Sequence, residues 1–231
     1  MAKSANEFAR FQPASDQSLL VYLGQEIGLD AHQRVIKLLR LLEHKPIAGV
    51  RDLHPAYCSV LINFDMLKLR HEELEAILRS YLAQLEKDLL PEPRQIEIPV
   101  CYGGDFGPDL NHVCATLGIN PTQAIELHGS VSYIVYFLGF VPGFAYLGEL
   151  PKSLVIPRLP TPRRSVQKGS VGIAGSQTGV YPFATPGGWR LIGRTPLTMF
   201  RAENAISLLS IGDRVRFVPI SPEQFVELEN V

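Results

Sequence analysis

Residues 169–196 read GSVGIAGSQTGVYPFATPGGWRLIGRTP, with seven glycines, three prolines, the only tryptophan of the chain and no acidic side chain. The β-prone runs inside it, SVGIA, GVYPF and WRLIG, are each five residues long and are cut by Gly or Pro. Glycine permits positive φ or the close approach of another backbone, and proline fixes φ at a bend. Short runs so punctuated predict a compact β-barrel rather than a layered α/β sheet. The pattern continues outward, through LVIP before the stretch and LTMF and DRVRFVPI after it. Further upstream, IEIPVCYGG reads as a strand, PDLNHVCATLG and PTQAIELHG as short helices, and YIVYFLGF as a strongly apolar strand.

The first part of the chain has a different period. FARFQPASDQSLLVYLG gives two short strands about a polar turn. In LDAHQRVIKLLRLLEHKP, the residues Ile36, Leu38, Leu39, Leu41 and Leu42 mark a helix, with Asp30 placed to cap it and Pro46 to stop it. VRDLHPAY and CSVLINFD are strand candidates, and HEELEAILRSYLAQLEKDLL repeats Leu74, Ile77, Leu78, Tyr81, Leu82 and Leu85 at helical spacing. The order ββαββα predicts a small α+β sandwich over residues 1–92. The prolines of PEPR, residues 91–94, then lead into a barrel domain over residues 93–231.

Composition narrows the function classes. A formal net charge of −1 over 231 residues leaves no global field to attract nucleic acid or acidic lipid, so partners must be recognised locally. Cys58, Cys101 and Cys114 lack CxxC or Cys/His spacing, and the histidines lack HExxH, so neither disulfide nor metal is predicted. No 18-residue apolar run and no signal-peptide pattern occurs, which reads as a cytoplasmic chain with no membrane partner. There is no GxxxxGK[ST] loop, no GxGxxG opening a helix and no GxSxG elbow.

The charges say more. Between residues 150 and 202 stand Lys152, Arg158, Arg163, Arg164, Lys168, Arg190, Arg194 and Arg201, with no Asp or Glu. A one-signed segment of this length points to a small anionic ligand or an acidic partner surface, or else to a solvated basic face. Arginine grips a planar carboxylate or phosphate with two parallel hydrogen bonds. His128, at the end of a short helix, reads as an imidazole titrating near neutrality or as a helix cap, and Asp105 as a site carboxylate or a turn residue.

VCYGGDFGPDL (100–110), YFLGFVPGFAYLGELP (136–151), IPRLPTPR (156–163), the stretch 169–196 and GDRVRFVPI (212–220) resemble successive signature blocks of one bacterial family. It is the allophanate hydrolase subunit 1 or carboxyltransferase-domain family, which includes the B subunit of the ATP-dependent 5-oxoprolinase and an inhibitor of the sporulation histidine kinase. Glu149 and Lys168 stand where small residues are expected. The resemblance implies a cyclophilin-like β-barrel joined to a smaller α+β domain. It also implies a companion carboxyltransferase-family subunit and a third oxoprolinase subunit, which together with this chain open 5-oxo-L-proline to L-glutamate at the expense of ATP. The chain alone is expected to be inactive, and the ATP site is not identifiable in it. Two alternatives are a regulatory protein that docks on a histidine kinase and a urea or allophanate carboxyltransferase-type subunit.

For the site, Arg158, Gln177, Tyr181, Arg194 and Thr195, with His128, are expected to bind substrate. The first five should converge at one mouth of the barrel, with Trp189 as the packing post beneath. The irregular run GFVPGFAYLGELP is expected to expose Phe140, Phe144 and Tyr146 at a subunit interface or pocket rim.

Overall fold

The computed structural model describes residues 9–85 and 90–229. The chain divides into two compact units, Met1–Glu92 and Pro93–Val231.

In the first unit, β1 (Arg10–Ser15), β2 (Ser18–Tyr22), β3 (Val50–Pro55) and β4 (Ser59–Phe64) form one antiparallel sheet in the order β1-β2-β4-β3. Helix α1 (Leu29–His44) buries Leu38, Leu39, Leu41 and Leu42 as expected from its spacing, with Val35 buried where the half-buried Ile36 was expected, and α2 (His71–Leu82) buries Leu74, Leu78 and Leu82. The ββαββα order is as expected. Asp30 does not cap α1. Gly28 occupies the cap, and Asp30 lies inside the first turn, where a carboxylate complements the helix dipole without making a cap bond. The tail of the expected second helix, residues 86–89, lies outside the described residues.

The second unit is built on a closed barrel in the order β10-β7-β6-β15-β5-β12-β9. Its strands are β5 (Gln95–Tyr102), β6 (Tyr133–Leu138), β7 (Ala145–Gly148), β9 (Ser170–Ala174), β10 (Gln177–Val180), β12 (Arg190–Arg194) and β15 (Arg214–Pro219). All neighbours are antiparallel except β15 and β5, which run parallel from Arg214↔Gln95 to Pro219↔Val100. Two helices, α3 (Leu110–Leu117) and α4 (Pro121–Gly129), connect β5 to β6. They bury Leu110, Val113, Cys114 and Ala124 in the core shared with Val100, Val135, Leu147, Ile173, Ile192 and Phe217. A separate ribbon pairs β8 (Arg163–Val166) with β11 (Thr185–Gly187), and another pairs β13 (Phe200–Arg201) with β14 (Ile206–Ser207).

One glycine of the opening stretch shows why the barrel needs it. A β-carbon on Gly193 would lie 2.6 Å from Val100 Cγ1 and 2.8 Å from the Cys101 carbonyl oxygen, so β12 reaches β5 only with no side chain there. LVIP is not a strand. Residues Lys152–Leu154 form a 3-10 turn after Pro151, and only Ile156 makes a bridge, to Gly175. The final helix α5 (Pro222–Glu229) has no counterpart in the sequence reading; it buries a single residue, Phe225. No helix among the described residues is long and apolar enough to cross a membrane.

Candidate functional site

Four strands that follow one another round the barrel, β7, β10, β9 and β12, bring distant aromatic residues together. Phe144 precedes β7, Tyr146 lies on it, Tyr181 follows β10 and Trp189 precedes β12. The Phe144 ring meets Tyr146, Tyr181, Trp189 and Phe140 edge-on at centroid distances of 5.0, 5.2, 5.4 and 5.7 Å. Tyr146 also stacks on Phe137 at 4.5 Å. Edge-to-face rings at these separations attract through their quadrupoles and fix one another's orientation.

These residues line a cavity of about 280 Å³, completed by Arg158, Leu159, Pro162, Pro186, Gly187 and Gly188. Gly187 is part of the wall because nothing larger fits. A β-carbon there would overlap the Tyr181 phenol and lie 2.8 Å from its Cε1 and Cζ atoms. The segment carrying Arg158 is tied down on both sides of that residue. The Leu159 amide donates to the Gly188 carbonyl at 2.8 Å, and Arg190 Nε donates to the Pro157 carbonyl at 3.4 Å. Arg158 itself is exposed, and among the described residues its guanidinium has no ion pair or hydrogen bond. Among the described residues no carboxylate lines the cavity. Burial raises the Tyr146 and Tyr181 phenols above the ordinary tyrosine value; the Arg158 charge offsets part of this for Tyr146, and a hydrogen bond from the Trp189 backbone, then Arg158, does so for Tyr181, so both stay protonated at neutral pH.

The structure thus brings together Arg158, Tyr181, Phe140, Phe144, Tyr146 and Trp189. Two details differ from the sequence reading. Phe144 is buried, at 2% exposure, and Ala145–Gly148 is a barrel strand rather than part of an exposed loop; Phe140 alone of the three is open, at 60%. The other expected members lie elsewhere. Gln177 pairs with Gly148 and Ala174 at the start of β10 and does not line the cavity. Thr195 is buried, and its hydroxyl accepts the Leu197 amide at 3.2 Å. Arg194 donates to Gln167 Oε1 at 2.7 Å, and its guanidinium carbon lies 5.1 and 4.9 Å from the ring centres of Phe106 and Phe225.

His128 is fully buried inside the barrel unit and is neither a cap nor a base poised near neutrality. Thr178 donates to the Gly172 carbonyl at 3.1 Å, so its hydroxyl oxygen is left to accept from His128 Nε2 at 2.9 Å. That tautomer leaves Nδ1 to accept the Tyr102 hydroxyl at 2.7 Å. Burial lowers the imidazole pKa to about 3.

A supporting pair has no counterpart in the sequence reading. Asp109 takes the Leu191 amide on Oδ2 and Arg163 Nη2 on Oδ1, both at 2.7 Å, while Arg163 Nη1 donates to the Trp189 carbonyl at 3.4 Å. The two side chains fix the backbone on which Trp189 stands. The only local signal is a proline–aspartate step at the start of a helical pattern; Asp105, the acidic residue that the sequence brings forward, is exposed. Among the described residues no group of three or more His, Cys, Asp or Glu is arranged to hold a metal ion.

The carboxyltransferase domain, subdomain C and D, family model matches residues 9–209. The chain is 40% identical over 227 residues to the B subunit of 5-oxoprolinase from Bacillus subtilis (strain 168), covering 94% of this chain and 95% of that protein. It is 45% identical over 216 residues to the B subunit of 5-oxoprolinase from Escherichia coli O157:H7, covering 91% and 96%. The crystal structure of the K. lactis urea amidolyase superposes with a TM-score of 0.79 at 21% identity, over 97% of this chain but 16% of that one, a likeness of fold. A domain-wide family match and full-length identity of this level place the chain in the carboxyltransferase-domain family.

Proposed function

We propose that the chain is the B subunit of an ATP-dependent 5-oxoprolinase and that the aromatic cavity receives 5-oxo-L-proline. The observation that carries the site is the unpaired Arg158 guanidinium on the rim of an aromatic cavity without carboxylates. A five-membered lactam ring is flat and compact enough for packing between Phe144, Tyr146, Tyr181 and Trp189. Its carboxylate matches the two-pronged donor set of Arg158. The protonated phenol of Tyr181 is a donor for the lactam oxygen.

An unactivated lactam resists water. Transfer of the ATP γ-phosphoryl group to the lactam oxygen makes the ring carbon electrophilic; water adds there, the C–N bond breaks as the protonated nitrogen leaves to become the free amine, and hydrolysis of the resulting γ-carboxyl phosphate releases phosphate and L-glutamate. This chain supplies binding and orientation. It offers neither a nucleotide-binding loop motif nor a nucleophile with its base, so turnover belongs to a cytoplasmic complex with a companion carboxyltransferase-family subunit and a third oxoprolinase subunit.

Trp189, the only tryptophan, is a built-in probe of the cavity. Titration of the full chain, alone and in the reconstituted complex, with 5-oxo-L-proline should change its fluorescence saturably, and the complex should release glutamate and ADP. A complex that leaves 5-oxo-L-proline intact would overturn the assignment and return the chain to the kinase-inhibitor or urea/allophanate readings.

A further inference from the structure

A second groove, of about 630 Å³, is lined by Pro142 and Pro182, which stand one or two residues from Phe140 and Tyr181 of the aromatic cavity. Phe140 lines the cavity and Pro142 lines the groove, so the turn between β6 and β7 borders both. Phe140 holds a φ of 71° although it is not glycine. Bulky side chains leave this conformation unless the surroundings impose it, and such residues cluster at binding sites.

The groove is assembled from four stretches distant in sequence: Pro142, Lys168, Pro182 with Phe183, and Thr198 to Glu203. Lys168 Nζ donates to Thr198 Oγ1 at 3.2 Å, which steadies the ammonium and leaves it two further donors. Arg201 is exposed, and its guanidinium has no hydrogen bond or ion pair among the described residues. Among the described residues Glu203 is the only carboxylate in the lining and pairs with neither cation, so they give the groove an excess of one positive charge. Phe183 and Phe200 add aromatic surface, with ring centres 6.4 Å apart.

We propose that this groove binds a phosphate-bearing ligand, with its phosphoryl oxygens held by Lys168, Thr198 and Arg201. Two cations with free donors and one hydroxyl suit a group that carries up to two negative charges on three acceptor oxygens. The volume falls in the range of small-molecule sites. Bare phosphoryl anions and nucleotides share this chemistry; the two phenylalanine rings offer packing only to the second. The inference concerns binding by this chain and stands apart from the oxoprolinase assignment, because it needs no partner and no turnover.

Isothermal titration of the full chain with pyrophosphate and with ATP, at low salt, tests it. Both probes should bind saturably, and Lys168→Ala and Arg201→Ala should each weaken binding roughly tenfold or more, as loss of one charge-assisted partner does. Arg158→Ala, in the neighbouring cavity, should leave it unchanged. Glu203→Gln should tighten it, a gain that misfolding cannot imitate. Tighter binding of ATP than of pyrophosphate identifies a nucleotide, and equal binding identifies the bare anion. Absence of saturable binding of either probe up to about 10 mM would overturn the site, as would affinity indifferent to both cation substitutions.

Discussion

Asp109 Oδ2 accepts the backbone amide of Leu191 at 2.7 Å, across 82 residues of chain. The same carboxylate holds Arg163, which reaches the Trp189 carbonyl, so one side chain at the start of α3 governs the position of the cavity's tryptophan. Asp109→Ala leaves a buried amide without an acceptor and a half-buried guanidinium without its anion. It should cost about 3 kcal/mol of stability in urea denaturation. Asp109→Asn keeps an acceptor for Leu191 and should cost less than half of that. Equal losses for the two variants would mean that the charge, rather than the Leu191 bond, is what matters.

Arg158→Ala should raise the KM of the reconstituted complex for 5-oxo-L-proline roughly 10- to 100-fold, the scale of losing one partner of a charge pair. The melting temperature should not move, because Arg158 is exposed and bonded to nothing described. Arg158→Lys should recover only part of the affinity, since an ammonium cannot reproduce the bidentate fork. Unchanged kinetics in Arg158→Ala would remove the residue from the site.

Gly187→Ala should push Tyr181 out of the cavity wall and cost roughly 1 to 3 kcal/mol through overpacking. Adding Tyr181→Phe removes the hydroxyl overlap but keeps the clash with the ring carbons, so it should restore part of the stability, not all. A double-mutant cycle by chemical denaturation reads the coupling directly. Strict additivity would show that the two groups do not meet.

The sequence suggests that Arg194 grips substrate; in the structure its guanidinium lies against the rings of Phe106 and of Phe225 in α5, and it does not line the cavity. Arg194→Ala should lower stability by about 1 kcal/mol through loss of its contacts with Phe106 and Phe225. It should leave the Trp189 fluorescence response to 5-oxo-L-proline intact. A variant that melts normally but no longer binds would return Arg194 to the site.

His128 makes stability depend on acid. Its folded pKa, about 3, lies below the unfolded value of 6.5, so the unfolded chain binds the proton more readily. The contribution is complete above pH 6.5 and is lost as the pH falls from there towards 3. From about pH 7 to pH 5 this group alone should remove about 2 kcal/mol. His128→Leu should show a shallower loss over that interval in urea midpoints; an identical slope would mean that other groups set the acid response.

The barrel is legible in the sequence because SVGIA and WRLIG are β-prone runs ended by glycine or proline, a local signal that the structure converts into β9 and β12. β7 is hidden because its four residues, AYLG, follow a Pro–Gly turn and look like more of the same loop. β8, RRSV, is hidden because it pairs only with β11 in a small ribbon and has no alternating apolar pattern to betray it. α5 buries one side chain, too few to make a periodicity. Of the residues that line the cavity, Arg158 and Tyr181 are legible from their rigid flanks of proline and glycine. Arg194 stands away from the cavity lining because sequence closeness to Trp189 is not closeness in space: five residues of extended chain carry the backbone about 16 Å away, to the other end of β12. Asp109 is invisible because its meaning depends on Leu191, which only the closed barrel brings near.

The parallel pairing of β15 with β5 also sets a timetable. β15 lies between β5 and β6 and hydrogen-bonds to both, so two neighbours in the finished barrel wait on residues 214–219, which are synthesised after every other strand of this barrel. Until those residues emerge, β5 and β6 each carry an open edge, and no amount of earlier chain can close the ring. Contacts spanning more than a hundred residues make such closure slow. Open edges on half-built sheets are the surfaces through which chains recruit one another. A nascent chain stalled before Arg214 would therefore be more prone to aggregation than one extending through Pro219.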